Sequence, residues 1–244
     1  MPRFFLPSGS FESREVVIKG ADASHISRSL RMTVGDALIL CDMRSNEYEC
    51  TIKSITQDSV TAEIISSRRA ESEPPCFITL YQGIAKGEKM ETIIQKAVEL
   101  GVCRFVPVRT DRAIAKIPKD AEEGKLQRWR RISAEAAGQS GRGIIPGICP
   151  PVSFAEAIER MSRDDLSFVC YEGDGTKPLS KILSGWDKKG SVSFLIGPEG
   201  GLSVPETGLA LSANIPLAGL GKRILRTETA PLCVLSCIGF YCEF

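Results

Sequence analysis

The sequence predicts an α/β protein in which a small β-barrel precedes a larger domain built on a mostly parallel sheet. Short alternating or β-branched runs, separated by turn residues, fill residues 1–70, whereas strand-like and helix-like segments alternate from residue 77 onward. Between them, the charged stretch Arg68–Pro75 predicts a linker, because X-Pro pairs disfavour helix. The predicted domains are therefore residues 1–72 and 73–244.

The N-terminal region contains four runs with strand character. They are Glu15–Ile18, Ala37–Leu40, Tyr48–Ile52 and Val60–Ile65. The helix expected there is Asp22–Met32, with Asp22 as its N-cap and Ile26 and Leu30 on one face. Nine basic residues stand against ten acidic ones through Ser72, so any contact of this barrel with nucleic acid must be specific rather than electrostatic.

The larger domain follows an alternating pattern. The expected strands are the apolar runs Phe77–Tyr81, Arg104–Val108, Leu166–Tyr171, Val192–Ile196 and Ile215–Ala218. The expected helices cover about 88–100, 121–139, 154–161, 179–186 and 204–213, and a last helix starts near Thr229 or Ala230 and reaches about Cys242. This alternation predicts a parallel sheet with helices on both faces. The last helix has hardly any polar face, which predicts a place in the core or against another subunit.

Two glycine-rich turns are the most informative part of the chain. They are Leu195–Glu206 and Leu217–Pro231, and each follows an apolar run and leads into a helix. Glycine permits a positive φ and close approach of a ligand, and open α/β sheets bind small molecules at the carboxyl ends of their strands. Ser203 and Glu206 predict a capping box. Two ordinary tight turns are the alternative interpretation.

Composition narrows the class of protein. The 244 residues are 43% hydrophobic, and no stretch approaches the roughly 20 apolar residues of a membrane span. Nine cysteines without regular spacing favour reduced thiols and a cytoplasmic location. Cys233, Cys237 and Cys242 are candidate metal ligands, because an i, i+4 pair on a helix can face one ion. Their apolar neighbours favour packing instead, so no metal is expected.

The formal net charge is only +1, but basic residues concentrate in one segment. Ten of them stand against five acidic residues between Arg104 and Arg142, Lys116 and Lys119 among them. Such an excess favours contact with a phosphate backbone. A solvated, charge-rich helix face is the alternative.

The two glycine turns together resemble the cofactor-binding end of the SPOUT class of S-adenosylmethionine methyltransferases. The segments that carry the resemblance are Gly197–Gly201 and Gly221–Ala230. More narrowly, the chain is similar to the RsmE family, which methylates a uridine base at N3 in small-subunit (16S) ribosomal RNA. Further matches are His25–Arg31, Lys86–Glu91, Gln95–Val102 and Arg128–Arg142, so the resemblance covers nearly the whole length.

The resemblance implies a PUA-like barrel followed by a SPOUT domain with a trefoil knot at its C-terminal segment. It implies S-adenosylmethionine as cofactor and small-subunit ribosomal RNA, or the assembled small subunit, as partner. It also implies a homodimer whose cofactor site lies near the subunit boundary, and no membrane.

A sulfonium cofactor attached to adenosine needs an apolar slot and main-chain polar atoms. The residues expected to bind it are Leu195, Ile196, Gly197, Gly200, Gly201, Leu217, Leu220, Gly221, Ile224, Leu225 and Thr229. The phosphate-loop pattern Gly-x4-Gly-Lys-Ser/Thr is absent, and Gly-x-Gly-x-x-Gly is absent at the first strand-to-helix turn, which disfavours nucleoside triphosphate and nicotinamide cofactors.

Uracil N3 carries a proton that must leave as the nitrogen attacks the methyl carbon, so a base and a cation are needed. We expect Arg226 to stabilise negative charge on the uracil, with Glu228 or Glu199 as base or as the group that orients Arg226. A turn-closing ion pair between Arg226 and Glu228 is the alternative. Lys86, Glu88 and Glu91 are either substrate-facing or capping charges.

RNA contacts are expected at residues of both domains. They are Arg3, Phe4, His25, Arg28, Arg31, Arg112, Gln139 and Arg142. Phe4 would stack on a base, and the arginines would hold phosphates. His25 could instead make a hydrogen bond within the barrel.

Two other functions remain open at this stage. One is a ribose 2′-O-methyltransferase of the same fold, and the other is a noncatalytic RNA-binding factor in ribosome assembly.

Overall fold

The computed structural model describes residues 1–115 and 117–243. Lys116, one of the basic residues counted above, lies outside the described residues. The chain divides into two compact units. The first comprises Met1–Glu73 and Ala137–Ile145, and the second comprises Pro74–Ala136 and the chain from Pro146 onward. The assignment of separate functions to residues 1–72 and 73–244 stays a prediction.

The first unit contains a five-stranded sheet that curls into a half-barrel. Its strands are β1 (Arg3–Phe5), β2 (Glu15–Lys19), β3 (Ala37–Cys41), β4 (Asn46–Ile55) and β5 (Ser59–Arg69). Their order is β1-β3-β4-β5-β2, and only the β1–β3 pair is parallel. Alternate residues such as Val16 and Ile18 are buried, as the pleat of a half-buried strand requires. The predicted barrel is confirmed in this form.

The helix of the first unit differs from the prediction. Helix α1 (Gly20–Ser24) passes into a π-helical turn at His25–Ser29, and the residue before α1 is Lys19. Asp22 therefore lies in the first turn, and its prediction as the N-cap was wrong. The helical segment ends earlier than expected because Arg31 adopts a left-handed φ of 52°.

The predicted linker also begins too early. Arg68 still belongs to β5, where it pairs with Glu47 of β4, and its Nε lies 2.5 Å from Glu47 Oε1. A cross-strand charge pair can favour strand structure in a sequence that looks like a solvated linker.

The second unit is built on an eight-stranded sheet in which every recorded pairing is parallel. Its strands are β6 (Phe77–Gly83), β7 (Arg104–Arg109), β8 (Gly147–Ile148), β9 (Val152–Ser153), β10 (Leu166–Cys170), β11 (Lys177–Pro178), β12 (Ser191–Ile196) and β13 (Leu217–Gly219). The order is β11-β13-β10-β12-β6-β7-β8, with β9 also paired to β7. Consecutive residues of β6 and β12 are buried, so the sheet is covered on both faces, as predicted.

In the part of the chain that the structure describes, six helices cover this sheet. They are α2 (Lys89–Glu99), α3 (Lys119–Gln139), α4 (Phe154–Met161), α5 (Leu179–Leu183), α6 (Val204–Ser212) and α7 (Ala230–Glu243). Trp129 of α3 is buried and anchors this helix in the core. Among the described residues, no helix combines the length and the apolar character that crossing a membrane would need.

The last helix has one buried face and one open face. Val234, Leu235 and Ile238 of α7 are buried, and the helix packs against α2. Phe240 is 73% exposed. The predicted place in the core is therefore confirmed for one face, while the contact with a second subunit and the knot stay predictions.

Candidate active site

A cavity of about 330 Å3 opens at the carboxyl ends of three neighbouring strands, β13, β10 and β12. Parallel strands bring their carboxyl ends to one edge of the sheet, where the loops that follow form a crevice. The strand ends and the loops that follow them supply most of the lining: Cys170, Tyr171, Glu172, Thr176, Ile196, Gly197, Pro198, Glu199, Gly201, Leu202 and most of Gly219–Ala230. Helix α2 contributes Lys89. Its volume lies in the range of small-molecule sites.

The first glycine turn is fixed by the helix that follows it. Ser203 Oγ accepts a hydrogen bond from Glu206 N at 3.3 Å, and Glu206 Oε2 accepts one from Ser203 N at 2.8 Å. The predicted capping box is thus confirmed. Asp111 strengthens it, because its amide donates to Glu206 Oε1 at 2.9 Å and its Oδ2 accepts from Ser203 Oγ at 2.7 Å.

Hydrogen bonds join the two glycine turns. Thr227 Oγ1, in the second turn, donates to Gly197 O in the first at 2.8 Å. Gln82 Nε2 donates to Thr227 Oγ1 at 3.0 Å. Gln82 is fully buried, so these bonds are shielded from water and hold both turns against the end of β6.

Two glycines of the turns require left-handed backbone. Gly201 has a φ of +69° and Gly221 a φ of +101°. A Cβ at Gly201 would lie 2.6 Å from Glu172 Oε1, so a side chain there would displace a carboxylate that lines the cavity. A Cβ at Gly221 would point into open space.

Most residues predicted to bind a cofactor do line the cavity. They are Ile196, Gly197, Gly201, Leu220, Gly221, Ile224 and Leu225. Leu195 and Leu217 do not, because each belongs to the hydrophobic core beneath the strand ends. Neighbouring residues of a strand face opposite ways, so Leu195 points to the core while Ile196 faces the cavity. The structure therefore places the side chains of Leu195 and Leu217 in the core and not in the predicted apolar slot.

Gly200 and Thr229 also lie outside the lining of this cavity. A Cβ at Gly200 would lie 2.7 Å from Arg112 O, so this glycine permits close packing of two loops. The Thr229 amide donates to Arg226 O at 2.9 Å and thereby closes the turn before α7.

The three residues predicted to act in catalysis all line the cavity: Arg226, Glu228 and Glu199. Both carboxylates face Lys89, whose Nζ lies 3.1 Å from Glu199 Oε1 and 3.5 Å from Glu228 Oε2. Arg226 is exposed, and within the described part of the chain its side chain has no hydrogen bond or ion pair. The alternative of an Arg226–Glu228 ion pair is therefore not what the structure contains.

Glu199 is held as an anion. Burial acts to raise the pKa of Glu199, but hydrogen bonds from its own amide and that of Lys86, together with the Lys89 ammonium, outweigh burial and lower this pKa. A carboxylate with a lowered pKa is a weaker proton acceptor. Glu199 is thus better suited to positioning Lys89 than to acting as a base.

Sequence reasoning missed Lys89 and Glu172. Lys89 lies inside the motif Lys86–Glu91, in which the prediction of substrate-facing or capping charges covers Lys86, Glu88 and Glu91. Glu88 precedes α2 without a side-chain cap, and Glu91 pairs with Arg128 at 2.8 Å. Glu172 follows a predicted strand directly, and that position at a strand's carboxyl end was the available signal.

Several residues predicted to contact RNA are not available for it. Arg3 is paired with Glu47, its Nη1 lying 2.7 Å from Glu47 Oε2, and Phe4 is only 6% exposed within the barrel core. Arg142 is 2% exposed, and its Nη2 lies 2.6 Å from Glu73 Oε2. The structure therefore does not favour base stacking by Phe4 or phosphate contact by Arg3 and Arg142, because these side chains are buried or paired within the first unit.

The other residues predicted to contact RNA are at the surface. His25, Arg28, Arg31, Arg112 and Gln139 are all exposed. The ring of His25 meets the edge of Phe4 with centroids 6.1 Å apart. Their contact with RNA stays a prediction.

Five basic side chains between Arg104 and Arg142 are in ion pairs. These pairs join Arg109 to Glu122, Arg128 to Glu91, Arg130 to Glu123, Arg131 to Glu135 and Arg142 to Glu73. Arg104 lies over the Phe77 ring. Arg112 makes a 3.5 Å hydrogen bond to Gly200 O and no ion pair within the described residues, so it is the better candidate for a phosphate.

Fold and cavity together define an RNA methyltransferase. The family model of the RNA methyltransferase domain matches residues 72–239, and that of the RNA methyltransferase PUA domain matches residues 18–65.

Similar proteins narrow the class of RNA methyltransferases to one family. The chain is 34% identical over 250 residues to ribosomal RNA small subunit methyltransferase E of Bacillus subtilis, covering 100% of this chain and 98% of that relative. It is also 31% identical in sequence to the chain in the crystal structure of ribosomal RNA small subunit methyltransferase E from Neisseria gonorrhoeae bound to S-adenosyl methionine. That match has a TM-score of 0.88 and covers 98% of this chain and 97% of the other. The chain belongs to the ribosomal RNA small subunit methyltransferase E (RsmE) family.

Proposed function

We propose that the protein transfers a methyl group from S-adenosylmethionine to N3 of a uridine in small-subunit (16S) ribosomal RNA. The observation that carries this proposal is the meeting of Arg226, Glu228 and Glu199 at one cavity, beside the two glycine turns. The named relatives support the same substrate class.

The lining residues fit the cofactor. Ile196, Leu220, Ile224 and Leu225 offer an apolar wall for adenine, and the main chain at Gly201 is open to a ligand. The Glu172 carboxylate supplies negative charge toward a cationic ligand. When bound, S-adenosylmethionine supplies a methyl group made electrophilic by its sulfonium.

The protein's own residues then manage the acceptor's proton and charge. Glu228 is the proposed base for the uracil N3 proton, because its Oε2 has no hydrogen bond within the described residues, although Lys89 Nζ lies 3.5 Å away. Arg226, exposed at the cavity and unpaired within the described residues, is the proposed cation that stabilises the uracil anion.

The proposed reaction requires RNA as a partner. We infer that residues 1–72 contact the RNA through exposed side chains such as Arg28 and Arg31, and that the protein acts in the cytoplasm as a homodimer. The exposed side of α7 around Phe240 is the apolar surface available to a second copy.

The test uses purified protein, S-adenosylmethionine with a labelled methyl group, and small ribosomal subunits or their RNA from cells that lack the protein. Nucleoside analysis of the product should give N3-methyluridine. A labelled 2′-O-methyl nucleoside would instead identify a ribose methyltransferase. Absence of both label transfer and calorimetric cofactor binding would identify a noncatalytic assembly factor.

A further inference from the structure

A second cavity adjoins the first at a wall of three charged side chains. It has a volume of about 620 Å3 and is lined by Lys86, Gly87, Glu88, Lys89, Thr92, Ile114, Glu199 and Glu228. Lys89, Glu199 and Glu228 line both cavities. A molecule in the second cavity would therefore meet one in the first at these three side chains.

The ammonium of Lys89 is the centre of this wall. A lysine has three N–H donors, and this ammonium lies 3.1 Å from Glu199 Oε1 and 3.5 Å from Glu228 Oε2. The Glu228 contact is an ion pair without a hydrogen bond, so within the described residues Lys89 keeps donor capacity for a ligand. The hydrogen bond and charge of Glu199 raise the pKa of Lys89, so this ammonium stays protonated at neutral pH.

The two carboxylates differ in what holds them. Glu199 Oε1 accepts the Lys86 amide at 3.0 Å in addition to Lys89. Within the described residues, Glu228 Oε2 is buried without a hydrogen bond, and its ion pair with Lys89 is its one polar contact. Glu199 therefore fixes Lys89, and Glu228 keeps a lone pair without a donor.

Arg226 and Lys89 lie on different sides of this wall. Arg226 lines the first cavity and is not among the described residues around the second, so it would meet a uracil at the junction from the cofactor side. A base in the second cavity would thus have Lys89 as the cation at the junction. Ile114, 71% exposed, offers an apolar surface for the face of that base.

We propose that the second cavity receives the target uracil and that Lys89 is a catalytic residue, which donates a hydrogen bond to a uracil carbonyl oxygen beside N3. This inference rests on the proposed function. Glu228 takes the N3 proton, the N3 electron pair forms the bond to the methyl carbon, and the carbon–sulfur bond breaks with its pair on sulfur. The products are N3-methyluridine, S-adenosylhomocysteine and one proton, which Glu228 later releases to water.

The test compares Lys89→Met and Lys89→Arg with the matched control Lys96→Met. Lys96 lies in the same helix and is paired with Glu99 at 2.8 Å, away from both cavities. Single-turnover methylation is measured on small subunits from cells lacking the protein. Lys89→Met should lose about a hundredfold in rate, as expected for one preorganised cation, and Lys89→Arg should recover part of it.

Two further measurements separate catalysis from support of the wall. Calorimetry with S-adenosylmethionine and thermal unfolding should leave Lys89→Met close to Lys96→Met. Subunits from cells grown with 5-fluorouracil carry a more acidic N3, and on them the loss for Lys89→Met should shrink to about tenfold, because less help is needed to form the anion.

Each outcome decides between explanations. If the wild type methylates but Lys89→Met matches Lys96→Met, the role of Lys89 is wrong and the proposed function stands. If Lys89→Met loses cofactor affinity and thermal stability along with rate, and fluorination does not reduce the loss, Lys89 only supports the wall. If the wild type transfers no methyl group to these subunits, the proposed function itself fails.

Discussion

The side chains of the cavity in the second unit were easier to predict from the sequence than the RNA contacts of the first unit. In the second unit, three side chains expected to act together, Arg226, Glu228 and Glu199, line one cavity. In the first unit, Arg3, Phe4 and Arg142 are buried or paired, although each was expected to face RNA. Loops that follow neighbouring parallel strands meet at one edge of the sheet. The side chains of the first unit take their roles from tertiary partners that the sequence does not reveal.

Arg142 and Arg226 make the comparison concrete. The Arg142 guanidinium is 2% exposed and donates to both oxygens of Glu73, through Nε at 3.0 and 3.1 Å. The Arg226 side chain is exposed at the cavity. We therefore expect Arg142 to control stability and Arg226 to control rate.

The largest effect is expected at Gly201. Gly201→Val should abolish measurable S-adenosylmethionine binding, since valine is strained at a φ of +69° and its Cβ would displace Glu172. Gly221→Val should do the same through strain at a φ of +101°. Calorimetry checks both, with Gly208→Ala as control, because a Cβ at Gly208 in α6 meets nothing. Undiminished affinity in both valine variants would refute the cofactor site.

Arg142→Ala is expected to lower the free energy of unfolding by about 3–5 kcal/mol, because it leaves the Glu73 carboxylate without its buried partner. Urea unfolding measures this change. Arg131→Ala is the control, since Arg131 and Glu135 form an exposed pair worth about 0–1 kcal/mol. Equal losses for both variants would contradict the buried role of Arg142.

Arg226→Ala is expected to slow single-turnover methylation about a hundredfold, or roughly 2.7 kcal/mol, through loss of a cation that stabilises the uracil anion. Cofactor affinity and stability should change little, because within the described residues no partner depends on this side chain. A normal rate with a lowered melting temperature would show instead that Arg226 is structural.

The smallest effect is expected from Arg112→Ala. If this exposed arginine meets a phosphate, its removal should weaken RNA binding and lower the slope of log affinity against log salt by about one. Arg163→Ala is the control, because Arg163 follows α4 and forms an exposed ion pair with Glu159 of that helix. An unchanged slope removes Arg112 from the RNA surface.

The fold was predictable wherever local pattern determined it. The helix at Phe154–Met161 and the capping box at Ser203 were predicted as they occur. Strand β1 (Arg3–Phe5) was missed, because a three-residue strand has too short a pattern. The end of β5 was missed because the cross-strand partner of Arg68 is 21 residues away.

The sequence predicted which turns form the cavity, but it did not predict which side chains contact one another there. The glycines and Arg226 stand next to each other in sequence, so the cavity could be inferred from them. Lys89 comes from a helix more than a hundred residues earlier, and only the folded sheet brings it between Glu199 and Glu228. Leu195 was misassigned because a run of apolar residues does not tell which face of a strand meets the cavity.

Mass spectrometry of small-subunit ribosomal RNA from cells with and without this protein tests the central proposal most directly. We predict one N3-methyluridine that is present only when the protein is present and returns when the wild-type chain, but not Arg226→Ala, is restored at similar abundance. Identical N3-methyluridine content in both cell types, or loss of a ribose methyl group instead, would contradict it.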